Sequence, residues 1–138
     1  MPPQLEHVTE LVVDLSRPHE MGKGPAGTRR IIPIIGGTAT GARINGTILP
    51  VGADWQTVTA NGVAQLDARY AIETEDGAVI EVISQGIRHV PEGGETYMRT
   101  FIRLETGAPA YDWVNRALFV ASGGKVGSTV RLSVYRVA

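Results

Sequence analysis

The sequence contains no cysteine, and it lacks several other features that would assign a function directly. Without cysteine the chain can form no disulfide bond, no thiol nucleophile and no thiolate metal site. The three histidines, His7, His19 and His89, match no metal-binding or triad spacing, so we expect no metal and no other cofactor. A net charge of −1 with no basic block argues against a nucleic-acid partner.

Long hydrophobic segments are also missing. No apolar run approaches the roughly 18 to 20 residues of a membrane helix. The first residues show no basic segment followed by an apolar one, as a secretory signal would. We therefore expect a cytoplasmic protein without a membrane partner. The glycines of residues 36–41 lack the Lys-Ser/Thr of a phosphate-binding loop, and no Gly-x-Ser-x-Gly nucleophile motif occurs.

Turn-forming residues are abundant, and their spacing indicates many strands. Seventeen glycines and eight prolines punctuate the chain at short intervals, and no segment keeps a 3.6-residue period over the length of a helix. The predicted strands cover residues 5–15, 28–35, 38–50, 55–59, 66–90 as a hairpin, 96–106, 111–122 and 126–137. These strands predict a single all-β domain over residues 1–138. We expect one antiparallel, mostly up-and-down β-barrel of about eight to ten strands, with a two-sheet β-sandwich as the alternative.

The connections carry more specific predictions. Residues 16–27 predict a long loop, and Gly36-Gly37 and residues 123–125 predict turns. Pro33 has no backbone N–H and is therefore expected at an edge or a bulge. The segment 111–122 could begin as a short helical turn.

The hairpin centred on Asp76-Gly77 is the clearest local signal. Asp-Gly between two alternating runs is typical of a type I′ turn, in which both central residues have positive φ. On the first arm, apolar residues from Leu66 to Ile72 alternate with Asp67 and Arg69, so one face is apolar and the other charged. The sequence leaves open whether the charged face meets solvent or lines a cavity.

Asp54, Asp67 and Arg69 are the catalytic candidates. If Asp67 and Arg69 line a barrel, they must pair with each other, with Arg99 or with a ligand, because an unpaired buried charge is costly. An arginine can hold a carboxylate or enolate oxygen, and a desolvated aspartate can move a proton. The alternatives are a solvated face with ion pairs of about 0 to 1 kcal/mol, and for Asp54 a turn-capping role beside Trp55.

The ligand-binding candidates are aromatic, amide or cationic side chains that could line or close a pocket: Arg30, Trp55, Tyr70, Tyr97, Arg99, Trp113 and Asn115. Arg99 lies between Tyr97 and Phe101 on one strand face, a pattern that favours a stacked, partly buried guanidinium. Arg29 and Arg30 point to opposite faces, so at most one of them faces inward. The alternative for the aromatic residues is a packed core, a barrel plug or a subunit interface.

Several pieces of the sequence occur together in a recognisable order. They are Gly27-Thr28-Arg29-Arg30, Gly36-Gly37 with Gly41 and Gly46, residues 49–56, residues 66–70, Asp76-Gly77-Ala78, Tyr97-Met98-Arg99 and residues 111–115. Together they resemble a widespread bacterial and fungal family of small hypothetical proteins catalogued as a domain of unknown function. The resemblance implies a closed antiparallel β-barrel, similar in outline to allene oxide cyclase and dirigent barrels, and no settled activity. Met98 stands where the family usually has an aromatic residue.

These features predict a barrel that binds a small molecule in a polar and aromatic pocket, the ligand being a small oxygenated or aromatic organic acid. One alternative is a cofactor-independent isomerase, cyclase or lyase in which an aspartate moves a proton and an arginine holds an oxyanion. A second alternative is a non-catalytic oligomerisation or interaction module. A homo-oligomer is expected from the general behaviour of small barrels with exposed aromatic faces.

Overall fold

The chain forms a closed, eight-position antiparallel β-barrel in a computed structural model that describes all 138 residues. The strands are β1 (Leu5–Leu15), β2 (His19–Gly24), β3 (Gly27–Thr40), β4 (Gly46–Ile48), β5 (Ala53–Val58), β6 (Ala64–Thr74), β7 (Val79–His89), β8 (Tyr97–Glu105), β9 (Leu118–Val126) and β10 (Thr129–Val137). The order runs β1-β10-β9-β8-β7-β6, and β3 closes the barrel by pairing with β1. β4 and β5 pair with the same neighbours, β3 and β6, and therefore share one position. The all-β barrel prediction is confirmed.

β3 changes its partner half-way along its length. It pairs with β2 up to Ile31 and with β1 from Ile34 onward. Pro33 lies between these two pairings, and its carbonyl oxygen accepts the N–H of Ser16. The N–H that proline lacks would have pointed into the same gap, so no ladder bond is lost. Pro33 thus lies at a local strand edge.

Three predictions about connections are wrong. The predicted loop at residues 16–27 contains β2, and the predicted turns at Gly36-Gly37 and residues 123–125 lie inside β3 and β9. These glycines do not turn the chain. A Cβ atom on Gly37 would lie 1.9 Å from the carbonyl oxygen of Val12, so glycine is needed there because β1 and β3 approach closely.

The β6–β7 hairpin is confirmed, but the predicted turn type is not. Ten residue pairs join the two strands, from Ala64↔Arg88 to Glu73↔Val79. Gly77 has a φ of +89°, whereas no residue other than glycine has a positive φ, so Asp76 does not adopt the type I′ conformation. The Thr74 hydroxyl donates to Asp76 and accepts the N–H of Ala78, which fixes a longer loop.

One end of the barrel is closed and the other end keeps polar groups. A 3₁₀ helix (Pro109–Arg116) replaces the first half of the predicted strand 111–122, and its Val114 is fully buried across the closed end. Ile44 is buried at the same end, and the guanidinium of Arg43 lies 3.8 Å above the Trp113 ring. No helix of the structure has the length and apolar character needed to cross a membrane.

Candidate ligand-binding site at the barrel mouth

Five polar side chains face the lumen at the open end of the barrel. Arg30 lies on β3, Asp54 and Gln56 on β5, Arg88 on β7 and Lys125 on β9. Each lies an even number of positions along its strand from buried residues that face inward. Because side chains alternate across a sheet, these five point to the same side as those residues. We call these five residues the mouth cluster.

A chain of hydrogen bonds joins three members of the mouth cluster. Arg30 Nε donates to Gln56 Oε1 at 2.9 Å, and Gln56 Nε2 donates to Asp54 Oδ2 at 3.4 Å. Asp54 Oδ1 accepts the backbone N–H of Asp67 at 2.9 Å. That N–H is free because residues 55 and 56 of β5 form no ladder pair with β6. The Asp54 carboxylate is therefore fixed to the barrel wall.

Desolvation disfavours the charged forms of three members of the mouth cluster, Asp54, Arg88 and Lys125. Desolvation raises the pKa of Asp54 above its ordinary value, although hydrogen bonds and the charge of Arg88 act in the opposite direction. Desolvation and the nearby charge of Arg30 lower the pKa values of both Arg88 and Lys125. Three cations thus lie close to one carboxylate; Arg30 and Arg88 are half-buried, and Lys125 is exposed.

Below the mouth cluster lies an interior cavity of about 40 Å³. Its polar lining consists of Asp54, Tyr70, Ser84 and Thr100, and the other lining residues are mainly aliphatic. The hydroxyl groups of Tyr70 and Thr100 are buried and have no hydrogen-bond partner. Complete burial raises the pKa of Tyr70, so its phenol stays protonated and can donate a hydrogen bond. We call this space the lumen cavity; it is large enough for a small polar group.

Above the lumen cavity, the rim of the barrel forms a wider pocket of about 440 Å³. Arg88 and Lys125 line it together with His89 and the apolar side chains of Val58 and Ala64. Pockets of this size and mixed character hold small organic ligands. The guanidinium and ammonium groups can bind an anion in this pocket, whereas Asp54 and Tyr70 line only the lumen cavity, where they can hold or donate protons.

Three of the predicted site residues come together at this end. Arg30 and Asp54 belong to the mouth cluster, and Tyr70 lies in the lumen cavity with 5% of its surface exposed. Arg29 points away from the lumen and donates to Thr57 on β5. Arg29 and Arg30 therefore point to opposite faces of the strand, as predicted. The structure therefore joins an acid, a cation and a phenol that the sequence could not place together.

The charged face of β6 lies on the outside of the barrel, so the lumen-facing arrangement of Asp67 and Arg69 is wrong. Arg69 pairs with Glu81 at 2.7 Å on the surface, and Asp67 accepts a hydrogen bond from Gln85. The physical reason is that the apolar alternate residues of β6 fill the lumen, which forces the charges outward. Trp55, also predicted to line the pocket, faces outward and is 46% exposed, because it follows the inward-facing Asp54.

The remaining candidates lie away from the mouth. Tyr97 and Arg99 face outward from β8, and the Arg99 guanidinium lies 4.9 Å from the Tyr97 ring. The guanidinium stacks on Tyr97 alone, and the predicted partial burial and cavity-lining position are wrong, because Arg99 is exposed. Trp113 packs against Phe119 at the closed end, and Asn115 holds the backbone of Thr106 through two hydrogen bonds of 2.9 Å.

Sequence reasoning missed Gln56, Arg88, Lys125, Ser84 and Thr100. The sequence did contain a signal for Arg88. In the hairpin Arg88 pairs with Ala64, which lies on the same strand face as Leu66 and Tyr70. A cationic side chain on a strand face that is otherwise mostly apolar is expected to point into the lumen. Lys125 was hidden because Gly123-Gly124 resembled a turn.

The fold and the mouth cluster define a small closed β-barrel with one open, cation-rich end above a polar cavity. The chain belongs to the family described as protein of unknown function (DUF3237), whose family model matches residues 3–137. It is 40% identical to the UPF0311 protein RPA1785 of Rhodopseudomonas palustris (strain ATCC BAA-98 / CGA009), over 94% of this chain and 92% of that protein.

Solved structures share the same fold. A crystal structure of a beta-barrel like protein (ABAYE2633) from Acinetobacter baumannii AYE is similar, with a TM-score of 0.95, 37% identity, and coverage of 100% of this chain and 98% of that one. A crystal structure of an enzyme from Penicillium herquei has a TM-score of 0.80 at 20% identity, covering 100% of this chain and 96% of that one. At this identity the second likeness shows the fold alone.

Proposed function

We propose that the barrel binds a small organic anion, an oxygenated or aromatic carboxylic acid, with its carboxylate at the mouth cluster. The observation that carries the proposal is the state of Arg88 and Lys125. Both face the lumen mouth, and neither takes part in any of the five salt bridges of the chain. Arg88 is half-buried, whereas Lys125 is exposed, and Asp54 is the only carboxylate whose charge acts on both. A half-buried cation without an ion-pair partner is costly, and a bound anion would reduce that cost.

The charge balance of the mouth supports an anionic ligand. Arg30, Arg88 and Lys125 repel one another, and each repulsion lowers the pKa of a neighbour. The compensating carboxylates are Asp54, whose own charged form is disfavoured by burial, and Glu20, which lies 3.8 Å from Arg30 and is largely exposed. A carboxylate between Arg88 and Lys125 would complete the balance through charge-assisted hydrogen bonds.

The rim pocket and the lumen cavity agree with the size and the chemistry of the proposed ligand. The rim pocket has room for an aromatic or short aliphatic body beside Val58 and His89. The lumen cavity admits only a small group, and the unpartnered hydroxyls of Tyr70 and Thr100 would bind an oxygen atom there. A carboxylic acid with a further oxygen atom would place its body in the rim pocket and that oxygen in the lumen cavity.

Calorimetric titration with benzoate, salicylate and pyruvate tests the proposal. We expect at least one of these acids to bind, and Arg88→Ala to weaken it about 10- to 100-fold, since charge-assisted hydrogen bonds contribute about 1.5 to 3 kcal/mol. Arg116→Ala, which removes an exposed arginine at the closed end, is the matched control and should bind as the wild type does. Neutral benzamide should bind more weakly than benzoate. Equal affinity for Arg88→Ala, or no binding of any of the three acids, would contradict the proposal.

The second candidate function is a cofactor-independent isomerase, cyclase or lyase, and one specific observation favours it. Asp54, with its raised pKa, and the protonated Tyr70 phenol face the same cavity. Asp54 would take a proton from the carbon next to a carbonyl group, and the electron pair would move to the carbonyl oxygen, held by Tyr70 or Arg88.

Proton exchange measured by NMR in D₂O tests the second candidate. With a 2-oxo acid that binds in calorimetry, the wild type should accelerate deuterium incorporation beside the carbonyl group. Asp54→Asn should bind the acid but lose about 100- to 10,000-fold in rate, the usual contribution of a general base. Exchange at the buffer rate in the wild type, or equal rates in Asp54→Asn, would refute it while leaving the binding proposal intact.

A further inference from the structure

The outer face of β8 presents a row of exposed aromatic and charged side chains that the mouth of the barrel does not use. The row consists of Tyr97, Arg99, Phe101, Arg103 and Glu105, which alternate with buried residues along the strand. Phe101 lies at its centre and is 59% exposed. A phenylalanine this exposed in the middle of a regular strand indicates a surface that is covered in the functional state.

Apolar side chains from neighbouring strands extend this surface. Ile87 of β7 pairs with Arg99, and Val120 of β9 pairs with Phe101. With Tyr97, Phe101 and Tyr135 they line a shallow groove of about 640 Å³. We call the outward side chains of β8 and this groove the β8 face.

Charges of opposite sign lie toward the two ends of the row without an ion-pair partner in the chain, although Arg99 donates to the Met98 carbonyl and stacks on Tyr97. Arg99, Arg103 and Glu105 take part in none of the five salt bridges. Glu105 also lies directly across the ladder from Glu81, and like charges in that position repel. The β8 face therefore has an unpaired cation near one end and an unpaired anion at the other.

We infer that the β8 face is a dimer interface, in which a second copy of this chain docks with its β8 antiparallel to the first. A two-fold axis passing near Ile102 places Arg99 opposite Glu105 of the second copy, and Phe101 opposite Arg103 of the second copy. Each contact then occurs twice, as in any isologous interface. The row supplies two ion pairs and two cation–π contacts around an aromatic centre.

Self-complementarity selects a second copy over other occupants. Arg99 and Glu105 lie six positions apart, about 20 Å along the strand, and are equidistant from Ile102. An amphiphilic small molecule with one acidic group would pair with Arg99 but leave Glu105 unpaired. A stable dimer needs about 800 Å² of buried surface on each partner, and the β8 face extends across β7 and β9 in addition to β8.

Light scattering after gel filtration, at roughly 1 to 100 µM protein, tests the inference through the expected dependence of dimerisation on concentration. We expect the wild type to be a dimer in the upper part of this range and Phe101→Glu to be a monomer throughout. Ile35→Glu is the matched control: Ile35 is 54% exposed on β3, which lies opposite β8 in the barrel, and its replacement should leave the dimer intact. A monomeric wild type at the highest concentration, or an assembly larger than two copies, would overturn the inference.

Charge reversal then tests the antiparallel arrangement itself. Arg99→Glu and Glu105→Arg should each weaken the dimer at least about tenfold, because each places like charges in contact twice. The double variant Arg99→Glu/Glu105→Arg restores both ion pairs with reversed sign and should dimerise with nearly wild-type affinity. Arg99→Ala, which adds no repulsion, should weaken the dimer less than Arg99→Glu. A folded double variant, judged by circular dichroism, that stays monomeric would overturn this pairing.

Discussion

Asp54 combines a structural and a chemical role in one carboxylate. It accepts the N–H of Asp67 and the side-chain amide of Gln56, and it also lines the lumen cavity beside Tyr70. Holding a carboxylate on the barrel wall by hydrogen bonds, while withdrawing it from water, makes it a rigid group that releases its proton reluctantly. Rigidity and a raised pKa are both properties of a proton-transfer site.

The raised pKa of Asp54 predicts how stability depends on pH. The folded protein holds this proton more tightly than the unfolded chain, whose carboxyl has the ordinary pKa of 3.8. The contribution of Asp54 to stability is therefore complete below pH 3.8 and is lost as the pH rises through the folded pKa. Asp54→Asn removes the charge that costs free energy and keeps an oxygen for the Asp67 N–H.

Denaturation with urea between acid and neutral pH tests this reasoning. Asp54→Asn should have a higher free energy of unfolding than the wild type at pH 7. The difference should shrink as the pH falls toward 3.8, the ordinary pKa of an aspartate carboxyl. Gln65→Ala, at an exposed position of β6 that carries no titratable group, is the control, and its stability difference from the wild type should not depend on pH. A variant less stable than the wild type at pH 7 would contradict the account.

At the level of single residues, the sequence predicted side-chain chemistry better than side-chain direction. Strand alternation separates neighbours such as Asp54 and Trp55, but it does not say which of the two faces inward. For β6 the apolar set from Leu66 to Ile72 decides the question, since a small closed lumen must be filled with apolar side chains. The same reasoning applied to β7 would have placed Arg88 inside.

At the level of strands, most elements could be predicted and the exceptions have a common cause. β1 matches its predicted residues, and the β6–β7 hairpin occurs as expected. The errors at Gly36-Gly37 and residues 123–125 arise because glycine permits either a turn or the close approach of two strands. Only the pairing partner, β1 for Gly37 and β10 for Gly123, distinguishes the two.

β5 shows how the site depends on an irregular element. β4 and β5 share one barrel position but are separated by residues 49–52, where Gly52 has a φ of +89° and passes close to the carbonyl of Arg69. This interruption precedes Asp54, and the unpaired part of the ladder follows it. The pattern of hydrophobic residues indicates neither irregularity. The hydrogen bond from Asp67 to Asp54 therefore could not be predicted from the sequence.

At the level of the whole molecule, a near-neutral net charge conceals a strong separation of charge. The total of −1 gives no indication of an anion site, yet three cations lie together at the open end of the barrel. The closed end is held by apolar packing and by Arg43 above Trp113. The barrel thus has one end closed by packing and one end with clustered charges, at which we propose that an anion binds, and the proposed dimer would use the separate β8 face.

The measurement that tests the central claim most directly is a titration of the ¹⁵N-labelled protein with benzoate, followed by amide chemical shifts. If the anion binds at the mouth cluster, the largest shifts should occur at Gly62 and Ala64 of the rim and at Asp67, whose N–H is bonded to Asp54. Amides at the closed end, such as Val114, should not move. Shifts confined to the outer wall around Arg99 and Arg131, with none at the mouth, would contradict the account.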